Sequence, residues 1–283
     1  MKIVIVGGVA GGATAAARIR RLDEAAEILI FERTEYISYA NCGLPYYIGG
    51  VIADPEELTL QTPEKFWNRF RIAVKTRHEV TANHPESKTF IVKNLKTLEI
   101  FEETYDKLLL SPGARPVRPS LPGIDSSRLF ILRTVEDTLA IRRFVELEQP
   151  RSAVLAGGGY IGLELAENLR DLGLEVTIVQ RPKQLLNPFD PDMAAFIHAK
   201  LRSRGIRLLL GHSVEGFREK ENTMEVLLKD AASVSADLVI LAIGVAPDSH
   251  LAAEAGLKQG IKGSIAVNDR METSVPDIYA VGD

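Results

Sequence analysis

The order of apolar and polar positions near the N-terminus predicts one β–α–β unit. Lys2–Val6 is a continuous, mostly β-branched run, which is typical of a strand buried inside a parallel sheet. A glycine-rich turn follows, and the alanine-rich run over 13–23 then predicts a helix. Glu27–Phe31 is a second apolar strand, and it ends at Glu32. A strand, a glycine turn, a helix and a second strand in this order are typical of dinucleotide-binding domains.

The same order of elements returns later in the chain. Ser152–Ala156 predicts a strand, a second glycine turn follows it, and the run over 163–173 predicts a helix that ends at Gly173. Glu175–Val179 predicts the second strand of this copy. We therefore expect an α/β protein with two Rossmann-like dinucleotide-binding domains.

Two segments rich in turn-forming residues mark the expected domain boundaries. Leu108–Gly123 is a strand followed by a Gly/Pro-rich stretch, and Leu238–Ser249 has the same character. We therefore predict a discontinuous first domain with a second domain inserted into it. The predicted boundaries are 1–112 and 245–283 for the first domain and 113–244 for the second.

Composition argues against several other classes of protein. The chain has 283 residues, 46% hydrophobic and 25% charged, which is the profile of a globular protein with a sizeable core. Its net charge of −4 gives no general attraction to nucleic acid. No apolar run approaches the roughly 18 residues of a membrane span. A single cysteine and the lack of a signal-peptide pattern favour the cytoplasm. No metal site is predicted.

The first glycine turn, GGVAGG, is a candidate pyrophosphate site. Backbone N–H groups at such a turn can approach a pyrophosphate at the N-terminus of the helix. Gly7 and Gly12 fit the first and third glycine positions, although Val9 stands where a second glycine is usual. Glu32, at the end of the second strand, suits the ribose hydroxyls of an adenosine. The alternative is a glycine-rich packing turn in an unrelated α/β fold.

The second turn, AGGGYIG, carries the complete spacing of a dinucleotide site. Its glycines are Gly157, Gly159 and Gly162. The following strand ends at Gln180, where an acidic residue would favour an unphosphorylated ribose. Arg181 and Lys183 come next, and a cation here accommodates a 2′-phosphate, so the pattern favours NADPH over NADH. The alternative is that Arg181 is a solvated surface charge.

Cys42 is the only cysteine of the chain, and its surroundings predict a reactive thiol. Its neighbours Ser38, Asn41 and Gly43 are small or polar rather than apolar. We expect Cys42 to open a short helix, whose dipole lowers the pKa of a thiol. Cys42 also follows shortly after Glu32, beyond the carboxyl end of the sheet, where ligands of such folds bind. The alternative is a buried structural cysteine.

The two glycine turns and three further stretches together resemble the pyridine nucleotide-disulfide oxidoreductases. The stretches are SYANCGLPYYIGG, LLLSPGARP and TSVPDIYAVGD. The most similar branch is the single-cysteine branch, which contains coenzyme A-disulfide reductases, NADH oxidases, NADH peroxidases and persulfide reductases. The resemblance covers essentially the whole chain.

The resemblance implies FAD in the first domain and NAD(P)H in the second. The residues implied to hold FAD are Gly7, Gly8, Ala10, Gly11, Gly12, Glu32, Ser111, Pro112, Gly113 and Asp283. Those implied to hold NAD(P)H are Gly157, Gly159, Tyr160, Ile161, Gly162, Glu164, Gln180 and Arg181. Further cofactor contacts are implied at Arg33, Asn41, Val80 and Gly244.

The resemblance also implies the reaction. A hydride passes from NAD(P)H to the flavin, and electrons pass on to a sulfur bonded to Cys42. Relatives of the glutathione reductase type use two cysteines, but here Tyr47 stands in place of the second one. The redox partner must therefore come from outside the chain, either as coenzyme A in a mixed disulfide or as the oxygen of a sulfenic acid. Peroxidases and many oxidases carry a histidine where this chain has Ala10, which favours the coenzyme A-disulfide reductases.

Coenzyme A disulfide, or a related persulfide or polysulfide, is then the implied substrate. The residues implied to bind coenzyme A are Thr14, Arg18, Arg21, Ser38 and Asn41. Thr14, Arg18 and Arg21 recur at helical spacing and share one face of the predicted helix. Two arginines on that face suit the phosphates of coenzyme A. The alternative is a solvated basic face.

The chain stops at Asp283, directly after a predicted strand. We expect the natural protein to continue into a C-terminal domain that forms a homodimer, and this domain to be missing here. A different class stays open, namely a flavin-binding electron carrier or redox sensor with an incidental cysteine. Ferredoxin-reductase-like flavoproteins share the two domains but not the cysteine stretch.

Overall fold

The computed structural model describes every residue from Met1 to Asp283. The strands are β1 (Lys2–Val6), β2 (Glu27–Glu32), β3 (Ala73–Thr76), β4 (His78–His84), β5 (Thr89–Asn94), β6 (Ile100–Thr104), β7 (Lys107–Leu110), β8 (Ala114–Pro116), β9 (Leu129–Ile131), β10 (Ser152–Ala156), β11 (Glu175–Gln180), β12 (Arg207–Leu210), β13 (Val214–Glu219), β14 (Met224–Leu228), β15 (Val234–Ala236), β16 (Leu238–Leu241), β17 (Val245–Pro247) and β18 (Ile278–Ala280). The α-helices are α1 (Ala10–Leu22), α2 (Leu44–Ile48), α3 (Pro63–Phe70), α4 (Val135–Glu148), α5 (Tyr160–Asp171), α6 (Pro191–Ser203) and α7 (His250–Glu254). Short 3-10 helices span Asn41–Gly43, Pro55–Leu58 and Ile261–Gly263.

The chain forms two compact units. The first contains Met1–Ala40, Thr59–Arg115 and Ala246–Asp283, and the second contains Asn41–Leu58 and Pro116–Val245. The sequence analysis placed residues 41–58 in the first domain, whereas the structure groups them with the second unit. Packing explains the difference, because α2 lies against α4 and α5.

A five-stranded parallel sheet with the order β18-β7-β1-β2-β3 forms the centre of the first unit. β1 pairs on both edges, with β2 and with β7, and its Val4 is fully buried. α1 packs on one face through Ala13 and Ala16, whose small side chains allow a close approach. On the other face Phe31 packs edge-on against Phe90 of the antiparallel sheet β4-β5-β6.

The second unit repeats this architecture. Its parallel sheet has the order β12-β11-β10-β16-β9. The antiparallel strands β13-β14-β15 supply Met224 and Val226 to a core that also contains Val154 of β10. α5 contributes the buried side chains Leu165 and Leu169. No helix in either unit has both the length and the apolar character that crossing a bilayer requires.

Both units reverse their strand order at the first strand. β1 lies between β2 and β7, and β10 lies between β11 and β16. Connections that leave such a strand to opposite sides open a crevice at its carboxyl end, and open α/β sheets bind ligands there. Each glycine turn begins directly after this strand, so the two turns occupy equivalent places. The fold class expected from the sequence, with two Rossmann-like units, is confirmed.

A carboxylate next to the last strand of the first unit binds two lysines. Asp277 Oδ2 accepts a hydrogen bond from Lys88 Nζ at 2.6 Å, and its Oδ1 accepts one from Lys107 Nζ at 2.9 Å. These bonds, with that from Lys88 the stronger, lower the pKa of Asp277 from 3.8 to about 2. The ionised carboxylate therefore stabilises the folded state above pH 3.8, and this contribution is lost as the pH falls toward 2.

We expect Asp277→Asn to lower the free energy of unfolding at neutral pH. This difference from the wild type should become progressively smaller below about pH 4. Urea unfolding of the wild type and the variant at several pH values measures this difference. Asp125→Asn is the control, because this carboxylate is 90% exposed while it pairs with Arg118 at 2.8 Å, and we expect almost no effect from it. An effect of Asp277→Asn that is the same at every pH would contradict a role for the charge.

Candidate functional site

The first glycine turn is held in a conformation that only glycine adopts easily. Gly7 has a φ of +98°, and its N–H donates to Phe31 O at 2.8 Å. A Cβ added to Gly7 would lie 2.0 Å from Ser111 O, and one added to Gly12 would lie 1.9 Å from Gly7 O. A Cβ on Gly11 would lie 2.6 Å from Ser111 Oγ. The glycines therefore let α1, which begins at Ala10, start directly against the end of β1 and the neighbouring β7.

Glu32 is buried at the end of β2, beside this turn. Its Oε2 accepts a hydrogen bond from Gly8 N–H at 2.8 Å. Its Oε1 accepts bonds from the backbone N–H and the hydroxyl of Thr34, both at 2.8 Å. A carboxylate with this many donors stays in one orientation, next to the backbone that would face a pyrophosphate.

A cleft of about 490 Å³ opens beside the turn, within the first unit. Five of the residues predicted as cofactor contacts line it, namely Gly7, Glu32, Arg33, Val80 and Pro112. The sequence analysis missed other lining residues, among them His78, Arg115, Asp248 and His250. Arg33 Nη1 lies 2.8 Å from Asp248 Oδ2 across this cleft. A cleft with polar and charged lining residues at the switch point suits the adenosine and pyrophosphate of a dinucleotide.

The remaining predicted FAD residues lie at the same end of this sheet. Ser111 N–H donates to Val6 O at 2.8 Å, directly after β7, and Gly113 has a φ of +73°. Asp283 is exposed and follows β18. A second cavity of about 220 Å³ is lined by Pro112, Gly113 and Asp283. The residues of the first unit that were predicted to hold FAD thus lie at the carboxyl end of the sheet.

The second turn repeats the first one in detail. Gly157 has a φ of +120°, and its N–H donates to Val179 O at 2.8 Å. A Cβ added to Gly157 would lie 2.1 Å from Ala242 O, and one added to Gly162 would lie 2.2 Å from Gly157 O. A Cβ on Gly159 would meet no atom within 4 Å. The second glycine thus faces open space, which is the place where a pyrophosphate approaches the backbone.

Gln180 holds the position in the second unit that Glu32 holds in the first. Its Oε1 accepts a hydrogen bond from Gly158 N–H at 2.9 Å, and its Nε2 donates to Gln184 O at 3.4 Å. Arg181 and Lys183 follow and are both exposed. The end of β11 therefore carries no carboxylate and has two accessible cations beside it.

Three of the residues implied to hold NAD(P)H lie at the start of α5. Tyr160 is the first residue of the helix and is 61% exposed, and Ile161 is 37% exposed. Burial raises the pKa of Glu164 one turn further on. Gly244, which follows β16, has a φ of +110° and open space at its Cβ position. All four residues belong to the second unit.

Cys42 is exposed, as the sequence analysis expected. It is the middle residue of the 3-10 helix Asn41–Gly43, which leads directly into α2. The side chain of Asn41 accepts a hydrogen bond from Arg133 Nη1 at 3.4 Å. Arg133 lies just ahead of α4, so the residue before the cysteine is already attached to the second unit.

The end of α2 has two further attachments. Arg142 Nη1 of α4 donates to Ile48 O at 2.9 Å. A Cβ added to Gly49 would lie 2.1 Å from Oδ1 of Asn168, a buried residue of α5. The segment that carries Cys42 is thus bonded to α4 and packs against α5, the helix that starts at the second glycine turn. Sequence reasoning missed Arg142 and Asn168, because nothing in the local pattern links them to positions so distant in the chain.

We expect Gly49→Ala to destabilise the protein by about 1–3 kcal/mol, because the added methyl meets a buried side chain. Gly49 has a φ of −74°, so alanine adds no backbone strain there. Urea unfolding measures the cost, and the same substitution in an Asn168→Ala background is the control. The cost should be much smaller in that background. An equal cost in both backgrounds would contradict the proposed contact.

The residues predicted to bind coenzyme A divide between the two units. Thr14, Arg18 and Arg21 are exposed on one face of α1 in the first unit. Ser38 is also in the first unit, where its N–H donates to Gly8 O at 2.9 Å, and Asn41 is in the second. Arg20, on another face of α1, instead donates to several backbone carbonyls, among them Phe70 O at 2.8 Å. The three exposed residues of α1 therefore stay available to a ligand.

Two dinucleotide-type turns in two similar α/β units define the class of this protein, and comparison with known proteins agrees. The family model of the pyridine nucleotide-disulphide oxidoreductases matches residues 1–283. Coenzyme A disulfide reductase of Staphylococcus aureus (strain JH9) is 43% identical over 282 residues, which are 100% of this chain and 63% of that protein. The chain belongs to the pyridine nucleotide-disulphide oxidoreductase family, as the cysteine stretch and the glycine turns predicted.

Solved structures show the same similarity. Reduced CoADR-RHD from Bacillus anthracis is 48% identical with a TM-score of 0.97, and the match covers 100% of this chain and 50% of that one. A NAD-dependent persulfide reductase from A. fulgidus is 34% identical with a TM-score of 0.96, and the match covers 100% of this chain and 53% of that one. The chain thus spans less than two thirds of the length of these relatives. Membership of the family implies FAD and NAD(P)H as cofactors.

Proposed function

We propose that this chain belongs to an FAD-dependent oxidoreductase that passes electrons from NAD(P)H to a sulfur bonded to Cys42. The proposed substrate is coenzyme A disulfide or a related persulfide or polysulfide. One observation carries the proposal. The only cysteine is exposed, and its segment packs through α2 against α5, the helix that starts at the complete nucleotide turn. A thiol in that position can react with a sulfur from solution while it stays fixed relative to the nucleotide turn.

Within the first unit, the glycine turn and Glu32 would bind the adenosine and pyrophosphate of FAD, with Arg33, Val80 and Asp283 as further contacts. FAD, when bound, supplies the two-electron relay between NAD(P)H and the sulfur. The protein's part is to orient the dinucleotide through backbone N–H groups and a fixed carboxylate.

Within the second unit, the open face at Gly159 would receive the pyrophosphate of the nicotinamide dinucleotide. Gln180 places an uncharged amide where a carboxylate would repel a 2′-phosphate, and the exposed Arg181 and Lys183 would attract it. NADPH is therefore the proposed reductant in preference to NADH.

We expect Gln180→Glu to lower the ratio of kcat/KM for NADPH to that for NADH by about tenfold, or about 1.4 kcal/mol. Glutamate can still accept the bond from Gly158 N–H, as Glu32 does from Gly8 N–H, so the turn keeps its geometry. Gln149→Glu is the control, because it adds the same charge at an exposed position of the second unit, at the end of α4 and outside the segment that follows β11. Steady-state rates with both nucleotides give the ratio, and an unchanged ratio would count against this specificity.

The exposed face of α1 supports coenzyme A as the thiol. Arg18 and Arg21 are exposed cations, and guanidinium groups bind phosphates well. The electrons then cleave the sulfur–sulfur bond at Cys42 and release a thiol. We also propose that the full-length protein is a cytoplasmic homodimer that acts on small molecules.

A second candidate is an NADH oxidase or peroxidase that works through a sulfenic acid on Cys42. The exposure of the thiol suits this chemistry too, since small oxidants reach it. The third candidate function is that of a non-catalytic flavin electron carrier or redox sensor. Such a protein would not need Cys42.

A panel of oxidants distinguishes these functions. FAD-loaded protein is assayed for NADPH oxidation with coenzyme A disulfide, with pantethine, which lacks the phosphates, and with hydrogen peroxide. The proposal predicts turnover with coenzyme A disulfide, and a rise in its KM in Arg18→Ala and Arg21→Ala. The KM for pantethine should not change in these variants. Turnover with peroxide alone would instead favour the second candidate.

A further inference from the structure

The segment after β11 covers the second glycine turn. We call residues 181–190 the nucleotide loop, because it contains the cations proposed to bind the 2′-phosphate. Leu186 N–H donates to Gly158 O at 2.9 Å. The side chain of Leu185 is fully buried, and its Cδ2 lies 2.2 Å from the place that a Cβ on Gly158 would occupy. The position of this loop therefore decides the shape of the turn.

One side chain outside the loop holds it. Leu185 N–H donates to Nε2 of His198 on α6 at 3.0 Å. A backbone N–H can only donate, so Nε2 must accept, and the ring must be neutral with its proton on Nδ1. A protonated ring would present a second donor to Leu185 N–H and would lose this bond.

The first unit has the same loop without the histidine. Ser38 N–H donates to Gly8 O at 2.9 Å, and Ile37 packs where a Cβ on Gly8 would lie. Ser38 and Leu186 both have left-handed backbones, with φ values of 45° and 47°. The helix between β2 and β3, α3, corresponds to α6, and it contains no histidine. A hydrogen bond from this loop to an imidazole is thus found only in the second unit, which is proposed to bind NAD(P)H.

We infer that His198 is a positioning residue for the nicotinamide dinucleotide: its neutral imidazole holds the nucleotide loop against the second glycine turn, and protonation releases the loop. The inference rests on the proposed function only in that this unit binds NAD(P)H. His198 touches no substrate and acts through Leu185 and Leu186.

The charges around the imidazole favour its neutral form. Burial and, to a lesser extent, Arg202 on the next turn of α6 lower the pKa of His198 from 6.5. The loop packed against α6 adds the cations Arg181 and Lys183 and one carboxylate, Asp190. Because this pKa is lowered, the hydrogen bond is present above pH 6.5 and is lost as the pH falls through the pKa of His198 in the folded protein, which lies below 6.5.

The test compares the affinity for NADPH of FAD-loaded wild type, His198→Gln and His198→Leu from about pH 8 to about pH 5.5, a range that spans the titration of a histidine. Glutamine keeps an acceptor near the position of Nε2 but does not titrate. The 2′-phosphate also titrates near pH 6, so the variants are compared at each pH. His84→Gln, an exposed histidine of the first unit, is the control.

At about pH 8 we expect His198→Gln to bind NADPH with the affinity of the wild type. At about pH 5.5 we expect it to bind NADPH about three- to tenfold more tightly than the wild type, because a difference of this size corresponds to one hydrogen bond. His198→Leu should bind about three- to tenfold more weakly than wild type at about pH 8, because it has no acceptor. His84→Gln should follow the wild type throughout. A wild-type pH profile in His198→Gln, or wild-type affinity in His198→Leu, would overturn the inference.

Hydrogen exchange tests the same inference without nucleotide. Protection of residues 182–190 in the wild type, compared with His198→Gln at the same pH, should fall as the pH drops below 6.5. If NADPH did not bind to the protein, the proposed function would be wrong. Hydrogen exchange of the nucleotide loop would still show whether His198 holds the loop. Equal protection of the loop in the wild type and in both variants at every pH would overturn it.

Discussion

Cys42→Ser is expected to abolish disulfide-dependent oxidation of NADPH, with a fall in kcat of at least about 1,000-fold, or about 4 kcal/mol. No other side chain in the chain can form a bond to sulfur that two electrons then cleave, since Cys42 is the only cysteine. Serine has nearly the same shape but a hydroxyl in place of the thiol, and the side chain is exposed. The substitution should therefore leave the fold and the 3-10 helix intact.

The same variant should keep its cofactors. Gly7, Glu32 and the second turn make no bond to the Cys42 side chain, so FAD content and NADPH affinity should equal those of the wild type. Reduction of bound flavin by NADPH, followed by its absorbance, should also continue. Disulfide-dependent turnover at the wild-type rate would contradict the account and favour the electron carrier.

Gly12→Ala is expected to lower the affinity for FAD by at least about 100-fold, or about 3 kcal/mol. The new Cβ would lie 1.9 Å from the carbonyl oxygen of Gly7, which is backbone and cannot turn aside. Either α1 or the turn must move, and both form the proposed pyrophosphate site. The flavin content of the purified protein and its FAD titration measure the effect, and circular dichroism checks the fold.

Gly162→Ala is the matched control, since its Cβ would lie 2.2 Å from the equivalent carbonyl of Gly157. It makes the same collision in the other unit, so it should retain FAD and lose affinity for NADPH. If Gly12→Ala kept its flavin, or if both variants lost the same cofactor, the assignment of one dinucleotide to each turn would be wrong.

The repeated β–α–β pattern was predictable from the sequence because its signals are local. Two continuous apolar strands, the glycine turn between the first strand and the helix, and a polar residue at the end of the second strand all lie within one short segment. The structure places Gly7, Gly12 and Glu32 together, and it does the same for Gly157, Gly162 and Gln180. Membership of the family followed from the same segments together with the cysteine stretch.

The support around Cys42 could not be predicted in this way. Residues 41–58 lie next to the first β–α–β unit in sequence, yet they pack on α4 and α5 of the second. Arg133, Arg142 and Asn168 reach the segment across about 90 to 120 positions of chain, and arginine or asparagine on a helix is usually solvated. Only the folded chain shows that these side chains point inward to the cysteine segment. Asp248, which lines the cleft beside the first glycine turn, was missed for the same reason.

The central claim is that a sulfur from solution bonds to Cys42 during turnover. Intact-protein mass under non-reducing conditions tests it most directly, on FAD-loaded protein exposed to coenzyme A disulfide and then to NADPH. The account predicts the gain of one coenzyme A in disulfide linkage at Cys42, its loss on addition of NADPH, and no gain in Cys42→Ser. A thiol that stays unmodified while NADPH is consumed, or that gains only oxygen, would contradict the account.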